Sequence, residues 1–144
     1  MRLYLDSCCF NRPFDDQQML TIRLETEAKL HIQAAIRSGE YNLGWSYVLN
    51  YENGANPLGE RRTEIQRWEE IANSFTAETP AILKRMNEIL ETGIKPLDAL
   101  HIACAEALNC EYFLTVDKGI LKKAKTISGI DILSPVDFVI AEGA

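Results

Sequence analysis

Leu3-Tyr4-Leu5-Asp6 is a short apolar run stopped by an acid, the pattern of a buried parallel strand whose carboxyl end opens onto a surface. The pattern returns in Phe113-Leu114-Thr115-Val116-Asp117. Two further strand-like runs, 41–45 and 130–133, alternate with stretches of helical periodicity. After an expected loop at Arg12-Pro13-Phe14-Asp15-Asp16, the residues Leu20, Leu24, Ala28, Ile32, Ala35 and Ile36 recur at helix spacing as far as Arg37, and Ser38-Gly39 stops them. Ser46 reads as the N-cap of a short helix through Glu52, ended by Asn53-Gly54 and Asn56-Pro57. Ile65, Trp68, Ile71, Ala72 and Phe75 predict the buried stripe of the next helix. Pro80 opens another, closed by Thr92-Gly93, and Pro96 suits the first position of a helix over 97–108 that is apolar nearly all round. A short helix or turn at 119–125 and a terminal helix at 135–141 complete the chain. Strands alternating with helices predict an α/β domain, its mostly parallel sheet covered on both faces and its ligands bound at the carboxyl ends of the strands.

The 144 residues match one domain, 1–144, with 47% hydrophobic and 25% charged residues. That composition excludes a disordered or collagen-like chain. The net charge of −6 argues against a non-specific nucleic-acid coat, which needs a broad positive surface. Cys8, Cys9, Cys104 and Cys110 contain no CxxC pair, so neither a zinc nor a dithiol redox site is expected. The N-terminus lacks an apolar signal region, and the apolar run 97–108 is broken by Asp98, His101 and Glu106. A reduced cytoplasmic protein without membrane contact is the expectation. There is no GxGxxG, GxxxxGK[ST] or GxSxG motif, which leaves dinucleotide, nucleoside-triphosphate and hydrolase-elbow sites without support.

Four acids stand in apolar surroundings: Asp6 and Asp117 at strand ends, Asp98 in the first turn of the most apolar helix, and Glu52 beside Val48, Leu49 and Tyr51. Each has a bland reading. Asp98 suits a helix N-terminus, Asp117 can cap the turn into Lys118-Gly119, Asp6 can accept backbone hydrogen bonds, and Glu52 can be solvated. Together they are harder to explain, because converging carboxylates repel one another and stay partly protonated without a cation. A hard divalent ion, Mg²⁺ or Mn²⁺, removes that conflict and catalyses in-line phosphoryl displacement. With only two histidines and no HExxH, zinc is disfavoured.

At these residues the chain resembles the PIN-domain nucleases. The matching blocks are Leu3-Tyr4-Leu5-Asp6-Ser7, Ser46-Tyr47-Val48-Leu49-Asn50-Tyr51-Glu52, Lys95-Pro96-Leu97-Asp98-Ala99-Leu100-His101-Ile102-Ala103 and Phe113-Leu114-Thr115-Val116-Asp117-Lys118, in that order over most of the sequence. The resemblance implies a three-layer α/β/α fold and a metal-dependent ribonuclease site. In it Asp6, Glu52, Asp98 and Asp117 bind Mg²⁺ or Mn²⁺ and help to activate the attacking water, and Thr115 orients a ligand. Small members include VapC-type toxins, which cleave RNA and are held inactive by an antitoxin, as well as PIN domains without toxin roles. Both remain open, as does a homodimer. The chain departs from the family's pattern at Cys8, where Asn is common, and a soft thiol is a poor partner for Mg²⁺.

Lys118, Lys122, Lys123 and Lys125 follow Asp117 closely and give 117–125 a net charge of +3, four lysines against one aspartate. Lys118, Lys122 and Arg12 are candidate phosphate contacts; a solvated helix face is the competing reading. His101, three residues after Asp98, reads as a satisfied core histidine, with orientation of Asp98 or contact with RNA as alternatives. A haloacid-dehalogenase-type phosphatase would want an acid or Thr where Cys8 stands. The rival that remains is a catalytically weak or inactive PIN-fold module that binds RNA or protein.

Overall fold

The computed structural model describes residues 1–11 and 18–143. Its centre is a five-stranded, all-parallel sheet in the order β3-β2-β1-β4-β5, formed by β1 (Arg2–Leu5), β2 (Asn42–Ser46), β3 (Ser74–Thr76), β4 (Tyr112–Leu114) and β5 (Asp131–Leu133). The register sets Leu3 beside both Leu43 and Tyr112, and Leu5 beside Leu114. The chain moves from β1 out to β3, then returns past β1 to β4 and β5. The reversal therefore lies between β1 and β4, where open α/β sheets present a crevice at their strand ends. Asp6 ends one of these strands, and Thr115-Val116-Asp117 leaves the other.

Parallel strands need crossovers, and the helices supply them: α1 (Ser7–Asn11), α2 (Leu20–Arg37), α3 (Tyr47–Gly54), α4 (Gly59–Ile71), α5 (Pro80–Leu90), α6 (Pro96–Ala107), α7 (Lys118–Lys122), a 3₁₀ turn Ala124–Thr126, and α8 (Pro135–Ala141). They flank the sheet as an α/β/α sandwich, with α5 packed on α6 and α2 on α8. Strands covered on both sides carry side chains that are apolar on both faces. Leu3, Tyr4, Leu5, Leu43, Trp45, Phe113 and Leu114 are all fully buried. Removing each such side chain from water contributes roughly 1.5–3 kcal/mol.

Helix starts follow local chemistry. Ser46 and Thr79 accept the Leu49 and Ile82 amides as N-caps, and Pro80, Pro96 and Pro135 occupy first helical positions. Two expectations need correction, and one short helix is unanticipated. The α4 stripe ends earlier than its periodicity suggests: Ile71 is 37% and Phe75 52% exposed, and Phe75 belongs to edge strand β3. Asn73 causes the switch, exchanging two hydrogen bonds of 2.9 Å with the Leu43 backbone and drawing the chain onto β2. Leu20 and Leu24 are also exposed, because an 18-residue helix of about 27 Å overhangs strands half its length. Finally, the five-residue α1 follows Asp6 directly, a helix too short to show periodicity. The expected loop at 12–16 lies outside the described residues.

Lys29 on α2 is fully buried, with Nζ 4.3 Å from the Phe10 ring centroid and 5.7 Å from that of Trp68. Burial lowers its ammonium to about 7. Among the described residues no helix is long and apolar enough to cross a membrane.

Candidate metal centre

Asp6 emerges from β1 with its amide bonded to Leu114 O of the neighbouring strand, 2.9 Å away. Its carboxylate is 5% exposed as a residue and held from three sides. Oδ1 accepts the Ser7 amide at 2.8 Å, and Oδ2 accepts the Thr115 hydroxyl at 2.8 Å and the Cys8 thiol at 3.4 Å. Thr115 Oγ1 in turn accepts the Asp117 amide at 3.1 Å. Thr115 thus ties the ends of β1 and β4 together. Cys8 supports Asp6 as a weak donor rather than as a ligand. Its hydrogen bond to Cys9, then burial, push the thiol well up from its usual value, so it keeps the proton it donates.

Glu52 reaches the same edge from α3 and is half-buried. It bonds through Oε1 to Nε2 of His101, which is wholly buried on α6. That nitrogen is also 3.9 Å from Asp6 Oδ1. Donor atoms of Asp6, Glu52 and His101 all lie within 4.8 Å of one another. Asp98 and Asp117 line an adjoining cleft with Gly93, Lys95 and Lys123. Asp117 also performs the modest task foreseen for it, capping α7 by accepting the Ile120 amide at 3.1 Å.

The four acids share one field. Asp98 is raised from 3.8 to about 6, by burial first and then by Asp6 and Asp117, with Glu52 adding and His101 opposing. Among the described residues no lysine or arginine forms an ion pair with any of them. Oxygen donors crowded enough to raise one carboxyl to about 6, without a paired lysine or arginine among the described residues, suit a hard divalent ion.

The basic residues divide. Lys118 and Lys122 are exposed on α7 and stay outside the cleft wall, whereas Lys95 and Lys123 form part of it. Lys123 Nζ occupies the space that a Cβ would take on Gly93, whose φ of +92° also favours glycine. Lys95 was not among the sequence candidates; its position three residues before Asp98 is the available signal. Arg12 lies outside the described residues. Tyr4 and Ser46, which stand behind His101, gave no sequence signal beyond a hydroxyl on a buried strand and an N-cap. Trp45 and Trp68 are core, while Tyr51 is 71% exposed.

Comparison with known proteins bears on the fold and the family. Curated protein sequences return no match. Among solved structures the chain is similar to FitAcB from Neisseria gonorrhoeae, with a TM-score of 0.61 and 13% identity over 92% of this chain and 97% of that one. It is also similar to VapBC2 from Rickettsia felis bound to a DNA fragment from their promoter, with a TM-score of 0.56 and 12% identity over the same shares. Identities this low speak for the fold alone. The PIN domain family model matches residues 3–126, over which β1, α3, α6 and β4 bring the four acids to one edge, and the chain belongs to the PIN-domain family.

Proposed function

We propose that this protein is a Mg²⁺- or Mn²⁺-dependent endoribonuclease whose centre comprises Asp6, Glu52, Asp98 and Asp117. PIN domains are in general nucleases, and the observation that carries the reading is the convergence of four carboxylates with no lysine or arginine paired to them among the described residues. A bound divalent ion supplies a lower barrier to proton loss from the attacking water and neutralises charge at the scissile phosphate. The chain's own residues do the rest. Ser7, Cys8 and Thr115 hold Asp6 in one orientation, and α7 holds Asp117. Asp6, Asp98 and Asp117 place the ion, and Glu52 holds a second ion or positions the water. Lys95 and Lys123 flank the cleft where the phosphates beside the scissile bond would lie, and Lys118 and Lys122 on α7 are candidate contacts for phosphates further along the RNA.

The similarity to VapBC2 and FitAcB supports the toxin role, in which an antitoxin partner holds the nuclease inactive. A homodimer and a cytoplasmic location belong to the same reading. The test is cleavage of a mixed RNA pool with Mn²⁺, Mg²⁺ or EDTA, wild type beside Asp6→Asn, with Mn²⁺ binding followed by calorimetry. Metal-dependent cleavage that falls about 10²-fold or more in the variant is expected. RNA binding without cleavage and without Mn²⁺ uptake would instead make the chain a PIN-fold binding module.

A further inference from the structure

Behind the acids lies a buried chain of polar groups that the reading above does not use. His101 Nε2 bonds Glu52, and its Nδ1 is 2.6 Å from Tyr4 Oη. Tyr4 Oη is 2.6 Å from Ser46 Oγ, which accepts the Leu49 amide at 3.3 Å. Tyr4, Ser46 and His101 are all fully buried. The Tyr4 ring is wedged, stacked on Phe113 at 5.5 Å and edge-on to His101 at 5.7 Å, so its hydroxyl cannot swing aside.

Donor counting gives this chain a direction. An ionised carboxylate only accepts, so Nε2 must carry the ring proton to bond Glu52. Nδ1 is then an acceptor and takes the Tyr4 hydroxyl proton. The Tyr4 oxygen can take the proton of Ser46, whose oxygen already accepts an amide fixed at the start of α3. Run that way, every group is satisfied from a backbone N–H to the carboxylate. Run the other way, an unprotonated Nε2 faces a carboxylate and a buried bond is lost.

We propose that His101 is a positioning residue: the Ser46–Tyr4–His101 relay fixes the Nε2–H tautomer, and the imidazole thereby aims the Glu52 carboxylate at the cation position beside Asp6. This rests on the reading of Glu52 as part of the metal centre. Among the described residues Glu52 has no other hydrogen-bonded support, and an unsupported glutamate on a half-exposed helix face samples several rotamers. The relay contributes order and no ligand atom, so it acts on Mg²⁺ and Mn²⁺ alike.

The experiment compares wild type with His101→Gln, His101→Leu, Tyr4→Phe and Asp6→Asn. Each is checked for folding by thermal unfolding in EDTA and titrated with Mg²⁺ and Mn²⁺ by calorimetry. Long-range ¹H–¹⁵N NMR of the metal-free wild type and Tyr4→Phe reads the ring tautomer. The expected results are an Nε2–H ring in wild type and a mixed tautomer in Tyr4→Phe. His101→Leu should weaken both ions by about 10–100-fold and lower kcat on RNA without changing KM. His101→Gln, which keeps an N–H donor toward Glu52, should recover most of the loss. An Nδ1–H ring in wild type overturns the proposal, as does wild-type ion binding by His101→Leu. A loss confined to Mn²⁺ and not rescued by Gln also overturns it, because that is the signature of a directly ligating imidazole. If His101→Leu does not fold, Tyr4→Phe and the ring tautomer still decide. Asp6→Asn separates the two levels. Unchanged ion binding there removes the metal centre itself, whereas weakened binding there with unchanged binding in folded His101 variants removes only the relay.

Discussion

Helix α6 carries one acid in its first turn and another in its last, and the fold treats them oppositely. Glu106 is met by Arg85 from α5, which donates through Nε at 2.7 Å and Nη2 at 3.1 Å and ties the pair to Ser128 O at 2.8 Å. Among the described residues no lysine or arginine pairs with Asp98; burial and the carboxylates around it push it up to about 6. Its place in the first helical turn is worth about 0.3–1 kcal/mol to the charged form, too little to offset three like-charged neighbours in a half-buried site. A carboxylate with a structural task is given its counter-charge by the chain. Asp98, set among Asp6, Asp117 and Glu52, has no such partner among the described residues, which supports the proposed divalent ion.

The contrast is broken most severely at Asp98. Asp98→Asn should reduce metal-dependent RNA cleavage by about 10²-fold or more, while unfolding in EDTA stays unchanged or moves up because one like charge is gone. Arg85→Met should do the reverse. Loss of charge-assisted bonds to Glu106, with that carboxylate left largely buried, should cost about 1–3 kcal/mol in urea unfolding, while the Mn²⁺ titration stays at wild-type affinity. Weaker Mn²⁺ binding in Arg85→Met, or a destabilised apo Asp98→Asn, would show that the two ends of α6 are not divided in this way.

The two ends also differ in how far the sequence discloses them. Asp6, Asp98 and Asp117 are legible because an acid after an apolar strand, or inside an apolar helix turn, breaks a local pattern that one residue reveals. The caps at Ser46 and Thr79 and the prolines at 80, 96 and 135 are local too, and most helix limits follow from them. β3 is not local. Phe75 fits the helical register of α4 and leaves it only because Asn73 bonds Leu43, 30 residues away in sequence. His101 shows the same limit within the site. Its spacing pairs it with Asp98, but its partners Glu52 and Tyr4 come from α3 and β1, which only the strand order brings together. Cys8 likewise reads as a loss of an expected Asn, while the fold turns its S–H toward Asp6.

The finest test of the comparison is the pH dependence of the metal-free fold. Asp98 moves from 3.8 to about 6 on folding, so between those values the folded chain holds a proton that the unfolded chain has released. Stability from this group is complete below about pH 4 and falls as pH rises through about 6. The difference in unfolding temperature between wild type and Asp98→Asn in EDTA should therefore shift against wild type by about 3 °C from pH 4 to pH 7, and level off above that. Adding Mn²⁺ at pH 7 should recover the wild-type loss and leave Asp98→Asn nearly unmoved, since a cation supplies the counter-charge that Arg85 gives Glu106. A flat difference in EDTA would mean that Asp98 is as well compensated within the chain as Glu106, and the case for an outside charge at this edge would then rest on Asp6 and Glu52 alone.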